Sequence, residues 1–462
     1  MNAFHRLLAA VFCALLLAAL PASGATVVLV NLDPPGVGLN DPTPATPVGG
    51  NPGVTIGEQR VNVYLQAAEI WGDTLDSAVP IVVGATFQPL PCEPTGGVLG
   101  SAGPTFVFAD FANAPIAGTW YVGAQADALV GADLEPGELD IISFFNSSID
   151  DDVNCLTGST WYYGLDNNQE ASQIDFLTVV VHEINHGLGH LELVDEDTGE
   201  LFLGLPDIYS RFMLDLDLGT TWENLTDAER LASQVNSGRL VWNGPNVTND
   251  ASDFLGPRPS LGIFFPRSLR GRYEAQPASF GPPLTTGFGT IGKVVLADDG
   301  VGVGSDACEP IQNTLFGKLA LIDRGGCAFT TKVANAEAAG ARGAIVANNV
   351  AGGPAPMGGA DPTIGIPSVG ITLDLGDAIK ASLDPLVLSR LFLDRRTLAG
   401  TEEGFVRLHA PDPVTPGSSK SHWSTSAEPS LLMEPSITPD LESAISLDLS
   451  PSLLLDIGWP LQ

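Results

Sequence analysis

Apolar residues recur at three- and four-residue spacing through Val61, Leu65, Ala68, Trp71 and Leu75, and this stripe predicts an amphipathic helix over 58–75. The preceding residues, 25–57, are rich in Gly, Pro and Asn around one strand-like run at 27–32. Behind the helix, β-branched residues predict a strand at 79–87, with further strands at 105–108 and 139–145. The stretch 172–189 is ambiguous by propensity, because Thr178-Val179-Val180-Val181 favours a strand. The spacing of its polar residues instead predicts a buried helix, with Asp175 as N-cap and Gly187 or Gly189 ending it. Residues 204–238 read as helical and surface-like. Further on, strands are predicted at 293–297, 318–322 and 344–347 and a helix at 331–339, after which the sequence beyond Gly400 is again loop-rich.

Composition adds bounds to this pattern. A chain of 462 residues has room for two or three domains, each with its own core. With 44% hydrophobic and 16% charged residues it is not a charged disordered polymer. His5 and Arg6 precede an apolar run at 7–20, and Ala22-Ser23-Gly24 follows as a small-residue cleavage zone. Residues 1–24 are therefore expected to be a signal peptide, since the run is shorter than the roughly 20 residues of a membrane span. No later run is long enough to span, so the expected product is secreted or periplasmic, without a membrane anchor. The formal charge of −34 excludes a basic surface for nucleic acid or anionic lipid. Loss of Cys13 with the leader leaves four of the five cysteines, an even number that suggests disulfides in an oxidising compartment. Cys92–Cys155 with Cys308–Cys327 is the simplest pairing. Calcium is a second candidate cation, around Asp150-Asp151-Asp152 or Asp195-Glu196-Asp197, although no EF-hand spacing accompanies either group.

The chemistry concentrates at His182-Glu183-Ile184-Asn185-His186. On a helix, His182 and His186 lie one turn apart on one face, where both imidazoles reach one zinc ion. Glu183 stands beside them as a carboxylate able to take a proton from water. A catalytic site of this kind needs a third protein ligand. Glu192, His190, His409 and His422 are the candidates. A continuous helix would put His190 about 12 Å from His182 along the axis, too far for one metal to bridge.

The run Ser421-His422-Trp423, followed by Leu431-Leu432-Met433-Glu434-Pro435, resembles the leishmanolysin-like branch of the metzincin zinc peptidases. Trp161-Tyr162-Tyr163-Gly164 and Leu455-Asp456-Ile457-Gly458-Trp459 extend the resemblance, and Gly189 matches the glycine that turns the chain out of the helix. The resemblance implies His422 as third ligand and Met433 in a turn that floors the site. His190 departs from the family pattern and reads either as a group supporting the ligands or as exposed. No oxyanion donor is identifiable. Gly317-Lys318-Leu319-Ala320-Leu321-Ile322-Asp323-Arg324-Gly325-Gly326-Cys327-Ala328-Phe329 and the residues after it resemble a protease-associated (PA) domain, in which Cys308–Cys327 would staple the Gly-rich turn.

The implied architecture is α+β: a metzincin-like domain of mixed sheet and active-site helix at 25–264 and 399–462, with an inserted α/β PA domain at 265–398. The implied function is hydrolysis of peptide bonds in protein or peptide substrates, with one zinc ion on His182, His186 and His422 and with Glu183 as general base. The strand at 139–145 is expected to be the edge on which substrate pairs. A non-catalytic, secreted polypeptide-binding or adhesion protein with a structural zinc site is the rival reading. The intact Glu183 argues against it, because a structural site has no use for that carboxylate.

Overall fold

The computed structural model describes residues 24–462. The apolar run 7–20 and most of the expected cleavage zone lie outside the described residues. Among these, no helix is long and apolar enough to cross a membrane.

A four-stranded sheet carries the first half of the chain, in the order Val27–Asn31, Ile81–Gln88, Ile141–Asn146, Gly100–Pro104. The first three strands run parallel and the last is antiparallel. The expected edge strand is thus corrected: Ile141–Asn146 is paired on both sides, and Gly100–Pro104 forms the edge. Glycines and Pro104 hide that strand from any β-propensity reading.

The stripe of apolar residues forms the helix Ile56–Thr74, opened by a capping box between Thr55 and Glu58. It packs on a second helix, Phe176–Gly187, and the Trp71 indole N–H donates to the Val181 carbonyl at 3.1 Å. Asp175 caps this second helix by accepting the Thr178 amide. All twelve of its residues are buried, so burial on every face overrides the strand preference of the Thr-Val-Val-Val run. Its last turn lies so close to the sheet that a Cβ on Gly187 would sit 2.4 Å from the Ile141 side chain. Gly189, at φ +113°, then turns the chain away.

Residues 204–238 depart from the helical expectation. They hold one short α-helix, Asp227–Ser233, beside the strand Met213–Asp215, and Tyr209, Met213 and Trp222 are buried. That strand pairs with Leu240–Trp242, which in turn pairs with Phe405–Arg407. One hydrophobic core therefore draws its residues from both ends of the chain, from Ala25 to Leu255 and from Val406 to Trp459.

Two further core clusters lie between them in sequence, from Leu261 to Leu391. Their eight-stranded sheet has a parallel centre of Thr290–Leu296, Leu319–Asp323, Gly343–Ala347 and Ser368–Ile371. It opens with the strand Pro257–Phe265, earlier than the expected start at 265, and closes with Leu388–Leu398. Disulfides join Cys92 to Cys155 and Cys308 to Cys327, as expected.

If the seat of the second helix on the sheet fixes its depth, Gly187→Val should lower the unfolding free energy by about 2 kcal/mol. Combined with Ile141→Ala, it should cost less than the two single changes added, by about 1 kcal/mol in urea unfolding. Strict additivity would show that the two residues do not share a contact.

Candidate metal centre

His182 and His186 project from the Phe176–Gly187 helix, and His422 arrives 236 residues after His186 on a loop against it. The three Nε2 atoms lie 3.2 Å (His182 to His422), 3.1 Å (His182 to His186) and 3.3 Å (His186 to His422) apart. The opposite ring nitrogens fix the tautomers. Nδ1 of His182 faces the Leu432 carbonyl at 2.7 Å, that of His186 faces the His190 carbonyl at 2.8 Å, and that of His422 faces the Ser418 carbonyl at 2.8 Å. A carbonyl oxygen only accepts, so each Nδ1 carries the proton and each Nε2 is left with a bare lone pair. Burial holds the rings neutral: the His182 and His186 imidazoles are pushed down to about 3 and about 4, and His422 well below its ordinary value.

Three lone pairs converging without a hydrogen between them suit a cation. A tetrahedral zinc ion with Zn–N distances of about 2.0–2.1 Å needs ligand nitrogens about 3.3–3.4 Å apart, close to the separations found here. The donor set therefore fits zinc.

The turn at 431–434 ties the three histidines together. Leu432 holds His182 through its carbonyl, and the fully buried Met433 accepts the Trp423 amide at 2.8 Å, next to His422. At the far end of the helix, the Trp459 indole donates to the Leu188 carbonyl at 2.7 Å.

Glu183 lines the same cleft, which has a volume of about 570 Å³ and is walled by 97–102, 416–422 and 434–437. Burial pushes its carboxyl up to about 8, and the Ala102 backbone amide opposes that rise. It lies directly beneath the edge strand, where a Cβ on Gly100 would come within 2.8 Å of Oε1.

The other candidates are placed elsewhere. His190 is fully buried rather than exposed, against His186, Tyr209 and Trp423, and serves the site through its carbonyl. His409 binds the His422 backbone carbonyl with its own amide, while its ring stands outside the cluster of converging nitrogens. Glu192 pairs with Lys420 at 3.2 Å. Among the described residues neither acidic run proposed for calcium forms a converging cluster: Asp150 accepts from Arg60 and Tyr163, and Asp195 from Thr198.

Sequence reasoning missed Lys420. Its side chain is 2% exposed, between Glu192, Glu196 at 3.8 Å and the side-chain amide oxygen of Gln234 at 3.3 Å. It joins the loop after the helix to the segment carrying His422. A lone lysine among serines gives no signal of such a role.

Residues 290–379 match the PA domain family. The inserted block carries a PA domain. Among curated proteins, signal peptide peptidase-like 2 of Arabidopsis thaliana is 34% identical over 124 residues, covering 26% of this chain and 23% of that protein. Vacuolar-sorting receptor 7 of the same plant is 34% identical over 102 residues, covering 21% and 16%. A PRADC1-like protein of Drosophila melanogaster is 39% identical over 87 residues, covering 18% and 41%. The chain thus spans less than a quarter of the first two relatives and less than half of the third. Among solved structures, BSAP, a zinc aminopeptidase from Bacillus subtilis, is 28% identical with a TM-score of 0.24, covering 30% of this chain and 31% of its own. An aminopeptidase from Aneurinibacillus sp. strain AM-1 is 25% identical with a TM-score of 0.23, covering 30% and 31%. The PA domain shares the chain with the histidine cluster but supplies none of its nitrogens.

Lys420→Met should destabilise the protein by about 3 kcal/mol, because Glu192 is left buried without its cation. Adding Glu192→Leu should recover most of the loss in thermal or urea unfolding. A double variant no more stable than the single one would show that the pair is not the source.

Proposed function

We propose that the chain is a secreted, zinc-dependent peptidase of the metzincin type, close to the leishmanolysin-like branch. Its peptidase unit would comprise 25–256 and 399–462, and the PA domain would be inserted between the second and third zinc ligands. The observation that carries this reading is the convergence of three bare Nε2 lone pairs beside a buried carboxylate in one cleft. The disulfides agree with an oxidising compartment.

In this reading His182, His186 and His422 hold one zinc ion, whose chemistry when bound is to acidify water toward a pKa of about 7 and polarise a carbonyl. Glu183 takes the proton from the attacking water and returns it to the leaving amine. Its position under Gly100 links that proton transfer to the edge strand. Among the described residues, one side of Gly100–Pro104 has no neighbouring strand, so an extended peptide can pair along it and bring a scissile carbonyl over the histidines. The carbonyls of Leu432, His190 and Ser418 keep the imidazoles oriented, which shortens the reorganisation needed on binding metal.

Zinc content and casein hydrolysis of the purified full chain test the reading. Glu183→Gln should keep one zinc per chain and lose activity by about 10²–10⁴-fold, the contribution expected of a general base. His422→Ala should lose the metal. Full zinc in His422→Ala would remove it from the ligand set and return attention to Glu192. A wild-type protein that binds zinc without hydrolysing casein would favour the rival reading of a polypeptide-binding protein with a structural metal.

A further inference from the structure

The chain has 54 acidic and 20 basic residues, yet 258–272 holds no acidic residue and 388–396 holds only Asp394. Antiparallel pairing sets these two segments side by side in the eight-stranded sheet of the inserted block. Gly262 lies between Arg272 on one neighbouring strand and Arg390 on the other. The alternating residues Leu261, Ile263 and Leu391 point into the core, so both arginines stand on the opposite face. Arg267 and Arg270 occupy the exposed hairpin at one end of the strands, and Arg395 and Arg396 are exposed towards the other. Among the described residues no side-chain partner accompanies these four guanidiniums. Asp394 is occupied by Arg272, at 2.6 and 2.8 Å.

The face is also aromatic. The Arg390 guanidinium lies 3.6 Å from the centre of the Phe392 ring and 5.5 Å from that of Phe264, and it donates to the Gly287 carbonyl. Phe264 and Phe265 are 42% and 41% exposed, and Phe288, next to Gly287, is 83% exposed. Solvated phenylalanines beside unpaired arginines make a surface that favours contact with both carboxylates and apolar side chains.

We propose that this face of the PA domain docks an extended acidic polypeptide segment. Arginine forks match carboxylates bidentately, and the three phenylalanines receive the apolar side chains between them. The strand Pro257–Phe265 is roughly 30 Å long, and because Glu274 at one end of the face is taken by Arg407, at most about eight extended residues fit. A nucleic acid or a long anionic polysaccharide would run past its ends onto a chain of formal charge −34 and be repelled there, whereas a short segment stays within it. The proposal stands whether or not the histidine centre is catalytic.

The test is fluorescence anisotropy with the full chain carrying Glu183→Gln, which guards the probe against cleavage. The probe is a labelled peptide of alternating Glu and Leu or Phe, about eight residues long, beside its Gln-for-Glu counterpart. The acidic peptide should bind at least tenfold more tightly than the Gln peptide, and added salt should weaken it. Charge reversal at Arg395→Glu and Arg396→Glu, or at Arg267→Glu and Arg270→Glu, should weaken it at least tenfold with an unchanged melting curve. Equal binding of the two peptides, or binding indifferent to both reversals, would overturn the proposal. Tighter binding of a DNA or heparin oligomer of similar length would overturn it in favour of a polyanion. Sedimentation showing a dimer that the reversals dissociate would assign the face to a second copy of the chain.

Discussion

Everything around the histidine cluster follows from the need to hold three imidazole lone pairs within about 3.3 Å of one another with no proton to share. Neutral nitrogens in that arrangement repel one another unless a cation lies between them. The protein meets this constraint through backbone. Each ring is pinned from behind by a carbonyl, and the three carbonyls belong to three segments: the turn before Met433, the loop after the helix and the loop before His422. Displacing any one of them rotates a ring and breaks the convergence. The fully buried Met433, Trp423 and Trp459 are the packing that fixes those segments.

The same constraint has to survive an interruption of the chain by a whole domain. The inserted block leaves and rejoins the remaining sequence at one place: the Ala399 amide donates to the Gly256 carbonyl at 2.9 Å, and the Gly256 amide donates to Glu428 at 2.7 Å. Its first and last strands pair with each other. The block is therefore a closed loop whose two ends meet, and its length barely affects the geometry at His422. Loop-closure entropy grows only logarithmically with length, so a large insertion costs little more than a short one when its ends already meet. Arg407, two residues before His409 and with its side chain 9% exposed, binds Glu274 of the inserted block and Glu402 together. The inserted block is thus tied by charge to the segment that leads to His422.

Much of this was legible in the sequence because it is local. Asp175, the apolar run and the paired histidines specify their helix within a dozen residues, and four cysteines made neighbour-to-neighbour pairing the simplest of three connectivities. What was illegible depends on distant partners. Gly100 to Pro104 has the composition of a loop and becomes a strand only because Ile141–Asn146 offers it a ladder. Residues 204–238 carry polar, helix-compatible letters, but Tyr209 and Trp222 are drawn into a core supplied partly by the C-terminal segment. Lys420 lies far in sequence from the glutamates that explain it. His190 was placed beyond reach of the metal by helical arithmetic, and its ring does stay out of the ligand cluster. Its carbonyl, which no side-chain pattern reports, is the part that touches the site.

The glycine at position 100 shows how tightly the chemistry and the sheet are joined. A carboxylate that must face the cleft from the buried side of a helix needs space on its far side, and here that space is the missing side chain of Gly100. Any Cβ there would press on Glu183 or lift the strand. An edge strand rich in glycine is ordinarily weak, because it gives up side-chain packing and β-propensity. Here the loss leaves an open backbone ladder within contact of Glu183, so under the proposed function a substrate pairing with the strand would take its register from the same residue that makes room for that carboxylate. Gly100, one of the residues that hid this strand from the sequence, is thus explained by its position over the carboxylate.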